Sequence, residues 1–150
     1  MKMTPELEKA YRNMAPGLIT AEGFLGTDTR NLADILAEDA QLFKKCNLDP
    51  VLLAARMRYF LEAGQRGLGE PVSVDSKWIV STDEARGKLA CPWEDGVRRK
   101  INVTIERKDD GSKCTYTDLS IHLLEAHGFL EGRGSAFRLD LELIKHILYM

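Results

Sequence analysis

Residues 101–116 read INVTIERKDDGSKCTY, and their periodicity decides the fold. Ile101, Val103 and Ile105 alternate with Asn102, Thr104 and Glu106, which is the period of a half-buried strand. Asp110-Gly111 suits a two-residue type I′ turn, whose central residues both need a positive φ. That turn pairs Ile105 with Tyr116 and Arg107 with Cys114, all four on one face, so Cys114 is expected on the core side near the hairpin tip.

Helices flank this hairpin. On its C-terminal side Thr117 or Asp118 can cap a helix from Leu119 to His127, and Gly128 supplies the left-handed residue that ends it. Asp140 can cap a last helix, Leu141 to Leu148. On the N-terminal side VSV, KWIVS and GKLACPW also alternate, back to a change of period near residue 68. Before that change the pattern is helical. Thr4 and Pro5 start a short helix that Pro16-Gly17 stops, and a glycine-containing irregular stretch follows.

From Asp28 a stripe of Leu32, Ile35, Leu36, Phe43 and Cys46 defines a longer helix, with Asp34, Glu38, Asp39 and Lys44 assigned to its other faces. That helix stops at Asn47. A second restarts with Asp49 as cap and Pro50 as first residue and ends near Gly64, which gives a helical hairpin over about 28–64. Val51, Leu52, Leu53, Met57, Tyr59, Phe60 and Leu61 make this second helix apolar almost all round, so it is expected at the centre of the fold. Helices first, antiparallel strands next and helices again describe an α+β fold. The chain reads as a single α+β domain over 1–150, with a helical portion over about 1–67 and a sheet-plus-helix portion over about 68–150.

Composition sets the function classes aside rather than choosing one. Hydrophobic residues make up 44% and charged residues 29% of the 150, an ordinary globular balance. With 21 basic and 23 acidic side chains the formal net charge is −2, so no global positive field draws in nucleic acid. No apolar run approaches the roughly 20 residues of a spanning helix. The N-terminal segment lacks an apolar signal core, and three cysteines (Cys46, Cys91, Cys114) make no disulfide framework, so a cytoplasmic protein is expected.

The chemistry-bearing residues concentrate late in the chain. Cys91 in ACPWEDG, with His122, His127 and Cys114, forms a candidate zinc set, with Glu94 or Asp95 as accessory ligands. Thiolate and imidazole donors suit zinc, but no Cys-x-x-Cys pair is present and 30 residues separate Cys91 from His122. The histidines are five apart, which leaves them roughly 140° apart around an ideal helix, so convergence calls for local distortion. The competing reading makes both cysteines small buried hydrophobes and places His127 at a helix C-terminus for the dipole.

A second candidate is the loop GFLEGRGSAFR, where Glu131, Arg133 and Arg138 stand among three glycines. The glycines permit close backbone approach and the arginines supply charge for a small anion or an acidic peptide terminus. Turn residues joining two helices are the plainer reading, with Phe129, Leu130 and Phe137 tacking the loop to the core. Third, residues 96–116 hold six basic groups against three acidic ones, an excess that also protects edge strands from pairing. Trp78 and Trp93 are read as core anchors.

Together these features point to a binding or assembly domain with a protein or small-ligand partner and a zinc or small-ligand site near 120–135. An acid–base enzyme using His122 and His127 is the alternative, and a nucleic-acid binder through the basic 98–113 hairpin is a second.

Overall fold

Capping side chains set where the helices begin. In the computed structural model, which describes residues 2–149, the Thr4 side chain accepts from Leu7 N and starts α1 (Pro5–Asn13). Asn31 caps α2 (Leu32–Lys45), and Asp49 accepts from Val51 N and Leu52 N to start α3 (Pro50–Gln65) with Pro50 at its first position. Helix α2 thus begins later than the Asp28 onset expected from the sequence. Asp28 stays in the preceding loop, bound by the Arg30 guanidinium.

Four antiparallel strands follow in the order β1-β2-β3-β4: β1 (Val72–Val74), β2 (Trp78–Ala90), β3 (Val97–Arg107) and β4 (Lys113–Thr117). KWIVS and GKLA, expected as separate runs, belong to the one strand β2. A register shift between Ala85 and Lys88 bends it, where Gly87 takes φ +91°. Two further helices, α4 (Asp118–His127) and α5 (Leu141–Leu148), complete an α+β fold in which helices precede and follow the sheet.

The hairpin register differs from the expected one. Ile105 pairs with Cys114 and Val103 with Tyr116, because the chain turns through four residues, 108–111, instead of two. Only Gly111 takes a positive φ there, and the Asp110 side chain is committed to Ser112 N and to His146. A slip of two residues preserves the face, so Cys114, Ile105 and Tyr116 still point inward. Arg107 leaves Cys114 and binds Asp109 and the His146 carbonyl.

Two apolar clusters hold the layers. The larger joins α3 and α5 to the sheet through Leu53, Met57, Phe60, Val80, Ile105 and Ile147. The smaller gathers α1, α2 and the loops around Met14, Phe24, Ile35, Leu123 and Phe129. Helix α3 is central on one face only: Leu53 and Phe60 are sealed, whereas Val51, Leu52 and Tyr59 are exposed, so its apolar ring is not covered all round. Asp39 reverses its expected placement. It lies on the buried stripe of α2, fully excluded from solvent, and accepts a hydrogen bond from Leu130 N at 3.1 Å.

Gly64 lets α3 approach β2. A Cβ there would sit 2.8 Å from Val80 Cγ1 and 2.9 Å from Thr82 Cγ2. Alanine in place of an ordinary helical glycine gains about 1 kcal/mol, but overpacking against a stiff strand valine costs about 1–3 kcal/mol. Gly64→Ala is therefore expected to lose about 1 kcal/mol in urea unfolding, by the difference of those two effects. The same substitution in a Val80→Ala background should lose less; an equal loss in both backgrounds would refute the contact.

Candidate metal centre

The site starts where β2 ends. Cys91 N donates to Gly96 O and Glu94 N donates to Cys91 O, so Pro92 and Trp93 fill a tight turn that carries Asp95 back toward the sulfur. Glu94 at φ +60° and Gly96 at φ +145° close it. Helix α1 buttresses this turn: Asn13 Nδ2 donates to Pro92 O at 2.8 Å, and Lys9 Nζ pairs with Glu94 at 2.5 Å. Glu94 is thereby drawn away from the sulfur, and its carboxyl is held below the usual range by the Lys9 ammonium.

The other wall is α4. Thr117 and Ser120 form a reciprocal capping box at its start, and Gly128 at φ +62° ends it, so the helix begins directly at the end of β4. Leu119 and Leu123 are buried in the smaller cluster beside Cys91. His122 and His127 reach the turn from successive levels of the helix. His122 Nε2 lies 2.9 Å from Asp95 Oδ1, and His127 Nε2 lies 2.8 Å from Asp95 Oδ2. The distortion expected from the five-residue spacing is not needed, because α4 runs as a regular helix to His127 and one carboxylate serves each imidazole with a different oxygen.

Cys91 Sγ lies 3.6 Å from His127 Nε2. One ligand atom each from Cys91, Asp95, His122 and His127 lies within 4.8 Å of the others, a group that could hold a metal ion. The sulfur is fully buried, the imidazoles are 19% and 15% exposed and Asp95 is 37% exposed, so the site has a dry floor and one open side. Trp93 stacks on His127 at 4.0 Å and 7° between planes, with its edge toward Phe129. Instead of being an ordinary core anchor, Trp93 fixes the His127 ring. Trp78 does anchor the core, donating from Nε1 to Ile147 O.

Charge at the site follows from this geometry. Desolvation pushes the Cys91 thiol up to about 12, and its hydrogen bond to Asp95 adds to the effect. Burial opposes ionisation of Asp95 as well. Hydrogen bonds from Cys91 and His122, with the nearby imidazole charges, outweigh it and hold that carboxyl below its ordinary value. Desolvation lowers His127 despite the opposing pull of Asp95.

Cys114, a candidate ligand from the sequence, is not brought here: it points into the larger cluster, and burial raises its thiol to about 12. Asp95 is the reverse case, an accessory residue by sequence that touches both imidazoles. The signal for it was local, since a Cys-Pro-x-x-Asp turn returns its fifth residue toward its first.

The glycine loop is organised by another loop, not by an anion site. A Cβ on Gly132 would lie 2.2 Å from Leu25 O, and one on Gly134 would lie 2.7 Å from Thr27 Oγ1. The close approach that its glycines permit is used by residues 24–28. Arg133 pairs with Glu38 at 2.5 Å, and Arg138 donates to Glu131 O and lies 3.6 Å from Asp39 Oδ1. Glu131 is 6% exposed and holds φ +72°. Phe129 and Leu130 are buried, whereas Phe137 remains partly exposed.

The basic hairpin is likewise paired, through Arg98–Asp118, Arg99–Glu84, Arg107–Asp109 and Lys113–Glu106. No described helix is long and apolar enough to cross a membrane. Fold and site thus define an α+β domain carrying a Cys/Asp/His/His group. Compared with protein-family models, with curated proteins and with solved structures, the chain has no significant match.

Glu131 gives this region a pH signature. Burial raises its carboxyl from 4.5 to about 7, against the Ser135 hydroxyl and Arg138. The folded state therefore favours the protonated acid, and stability falls as pH rises from about 4.5 to about 7, where the unfolded chain has already released its proton. Asp39, raised from 3.8 to about 6 by burial, adds a decline over a lower window. Glu131→Gln should melt with wild type at pH 4 and above it at pH 8. A wild-type advantage at pH 8 would show that the carboxylate is favourable in the folded state.

Proposed function

We propose that the chain is a zinc-binding domain in which the ion ties the turn after β2 to α4 and thereby stiffens a surface for binding or assembly. The observation that carries this reading is the convergence of four donor atoms, from a thiol, a carboxylate and two imidazoles, within 4.8 Å. Bond lengths of about 2.0–2.3 Å give a tetrahedral zinc site edges of about 3.3–3.6 Å. The Cys91–His127 separation of 3.6 Å matches such an edge.

The donor types agree with the geometry. Thiolate plus carboxylate carries two negative charges, which a divalent ion neutralises without help from a lysine or arginine. A bound dication also reverses the penalty that keeps the Cys91 thiol protonated, so metal uptake releases a proton. Zinc is favoured over magnesium or calcium because sulfur and nitrogen supply three of the four donors. Four protein ligands describe a closed, structural site. Three free, buried cysteines fit the reducing cytoplasm.

The acid–base enzyme reading draws support from the His122–Asp95 and His127–Asp95 contacts, which are within hydrogen-bond reach. Two observations weigh against it. The only thiol beside the histidines is sealed and raised toward its protonated form. Neither a cavity of about 550 Å³ nor a shallower one of about 470 Å³ is lined by any of the four residues.

Protein isolated from zinc-replete cells should carry one zinc per chain. Cobalt substitution should give the visible bands of a tetrahedral ion and a sulfur-to-cobalt charge-transfer band that Cys91→Ser removes and Cys114→Ser keeps. Zinc at a hundredfold excess over Kd stabilises by about 2.7 kcal/mol, so chelation should lower Tm by about 8 °C at about 3 °C per kcal/mol. Metal-free protein whose melting ignores both zinc and chelator would end this reading.

A further inference from the structure

The cavity of about 550 Å³ lies away from the Cys/Asp/His/His group, between the 19–26 loop, the 131–137 loop and the outer part of the β2–β3 hairpin. Phe24, Leu89, Ile101 and Leu119 give it apolar walls. Its volume is in the range that encloses most of a small organic molecule. Glu131 also borders it and is more than nine-tenths buried. The Ser135 hydroxyl donates to Glu131 Oε1 at 2.9 Å, while no described side chain donates to Oε2. A carboxyl with one oxygen satisfied, held in a left-handed backbone conformation beside an apolar cavity, is poised for a donor from outside the chain.

Charge in the surrounding network has the same sign. Asp28, Glu38, Asp39 and Glu131 supply four carboxyls, and Arg30, Arg133 and Arg138 supply three guanidiniums. Arg30 is occupied by Asp28 and Glu38, and Arg133 by Glu38, which leaves Arg138 to face both Asp39 and Glu131. The network is short of one positive charge. Arg99 and Lys100 also border the cavity, but both are exposed, and Arg99 is paired with Glu84. The cations lie toward solvent and the unpaired carboxyl oxygen lies deeper.

We propose that this cavity binds a small organic ammonium compound, its apolar body against Phe24, Leu89, Ile101 and Leu119 and its N–H groups donating to Glu131 Oε2. The ligand supplies the missing charge, and its sign is opposite to that of the anion suggested by the arginines and glycines of this loop. The site is independent of the zinc reading, since it shares none of the four donor residues.

Three probes with one apolar body distinguish the head group: 4-phenylbutylamine, 4-phenylbutan-1-ol and 4-phenylbutanoate, titrated into the full chain at pH 7.5 and followed by amide chemical shifts. The amine should bind at least tenfold more tightly than the alcohol, the carboxylate should bind weakest, and shifts should centre on Phe24, Leu89 and Leu119. In Glu131→Gln the preference for amine over alcohol should fall to about twofold or less, while alcohol binding reports that the cavity remains intact. A carboxylate preference would overturn the proposal by assigning the site to Arg99 and Lys100. Absence of shifts with all three probes at millimolar concentration, or an unchanged amine preference in Glu131→Gln, would overturn it as well.

Discussion

Helix α4 lies between two apolar clusters, with Ile121 and Leu124 in the larger and Leu119 and Leu123 in the smaller. A helix buried on two sides has little freedom to rotate or slide, because any movement exposes one set of leucines or the other. The capping box at Thr117 and Ser120 starts it directly at the end of β4, so its first turn is fixed by the sheet. His122 and His127 inherit that rigidity. The turn at 91–96 must then close at the helix end, where the Trp93 ring lies flat on His127 and α1 holds the outside of the turn. Core packing thus determines where the imidazoles point before any metal is considered.

Much of the fold was legible in the sequence because periodicity and capping act over a few residues. Thr4, Asp49, Pro50, Thr117, Gly128 and Asp140 each do locally what their chemistry implies. The 101–116 hairpin shows where that legibility stops. Alternation determines which face a residue takes, but turn length determines its partner, and Asp110 spends its side chain on Ser112 and His146 instead of forming a two-residue turn. Ile105 and Cys114 therefore became neighbours while every inward residue stayed inward.

The site was partly legible for a similar reason. Donor types could be read from Cys91, His122 and His127, but their convergence depends on contacts 31 to 36 positions apart in sequence, for which no local pattern exists. Angular separation on the helix was a poor guide, because it describes where side chains leave the backbone and not where a long imidazole ends. Asp39 was misplaced on the opposite assumption, that charge marks an outward face. Its heptad-like spacing from Leu32, Ile35 and Phe43 was inward, and its partner, the Leu130 amide, is 91 residues away.

The two polar regions share an electrostatic condition that neither the composition nor the net charge of −2 reveals. At the metal centre a carboxylate and an ionisable thiol face two imidazoles, and around the second cavity four carboxyls face three guanidiniums. Burial keeps each region from correcting its deficit with solvent ions, so the deficit is met by protonation: Cys91 keeps its proton, and Glu131 holds its own to about pH 7. A cation that replaces such a proton gains the attraction of a low-dielectric site without having to assemble it. Both regions also lie where loops from the N-terminal half meet the sheet-and-helix half. On the reading proposed here, occupancy at either one would tighten the same seam between the two halves of the chain.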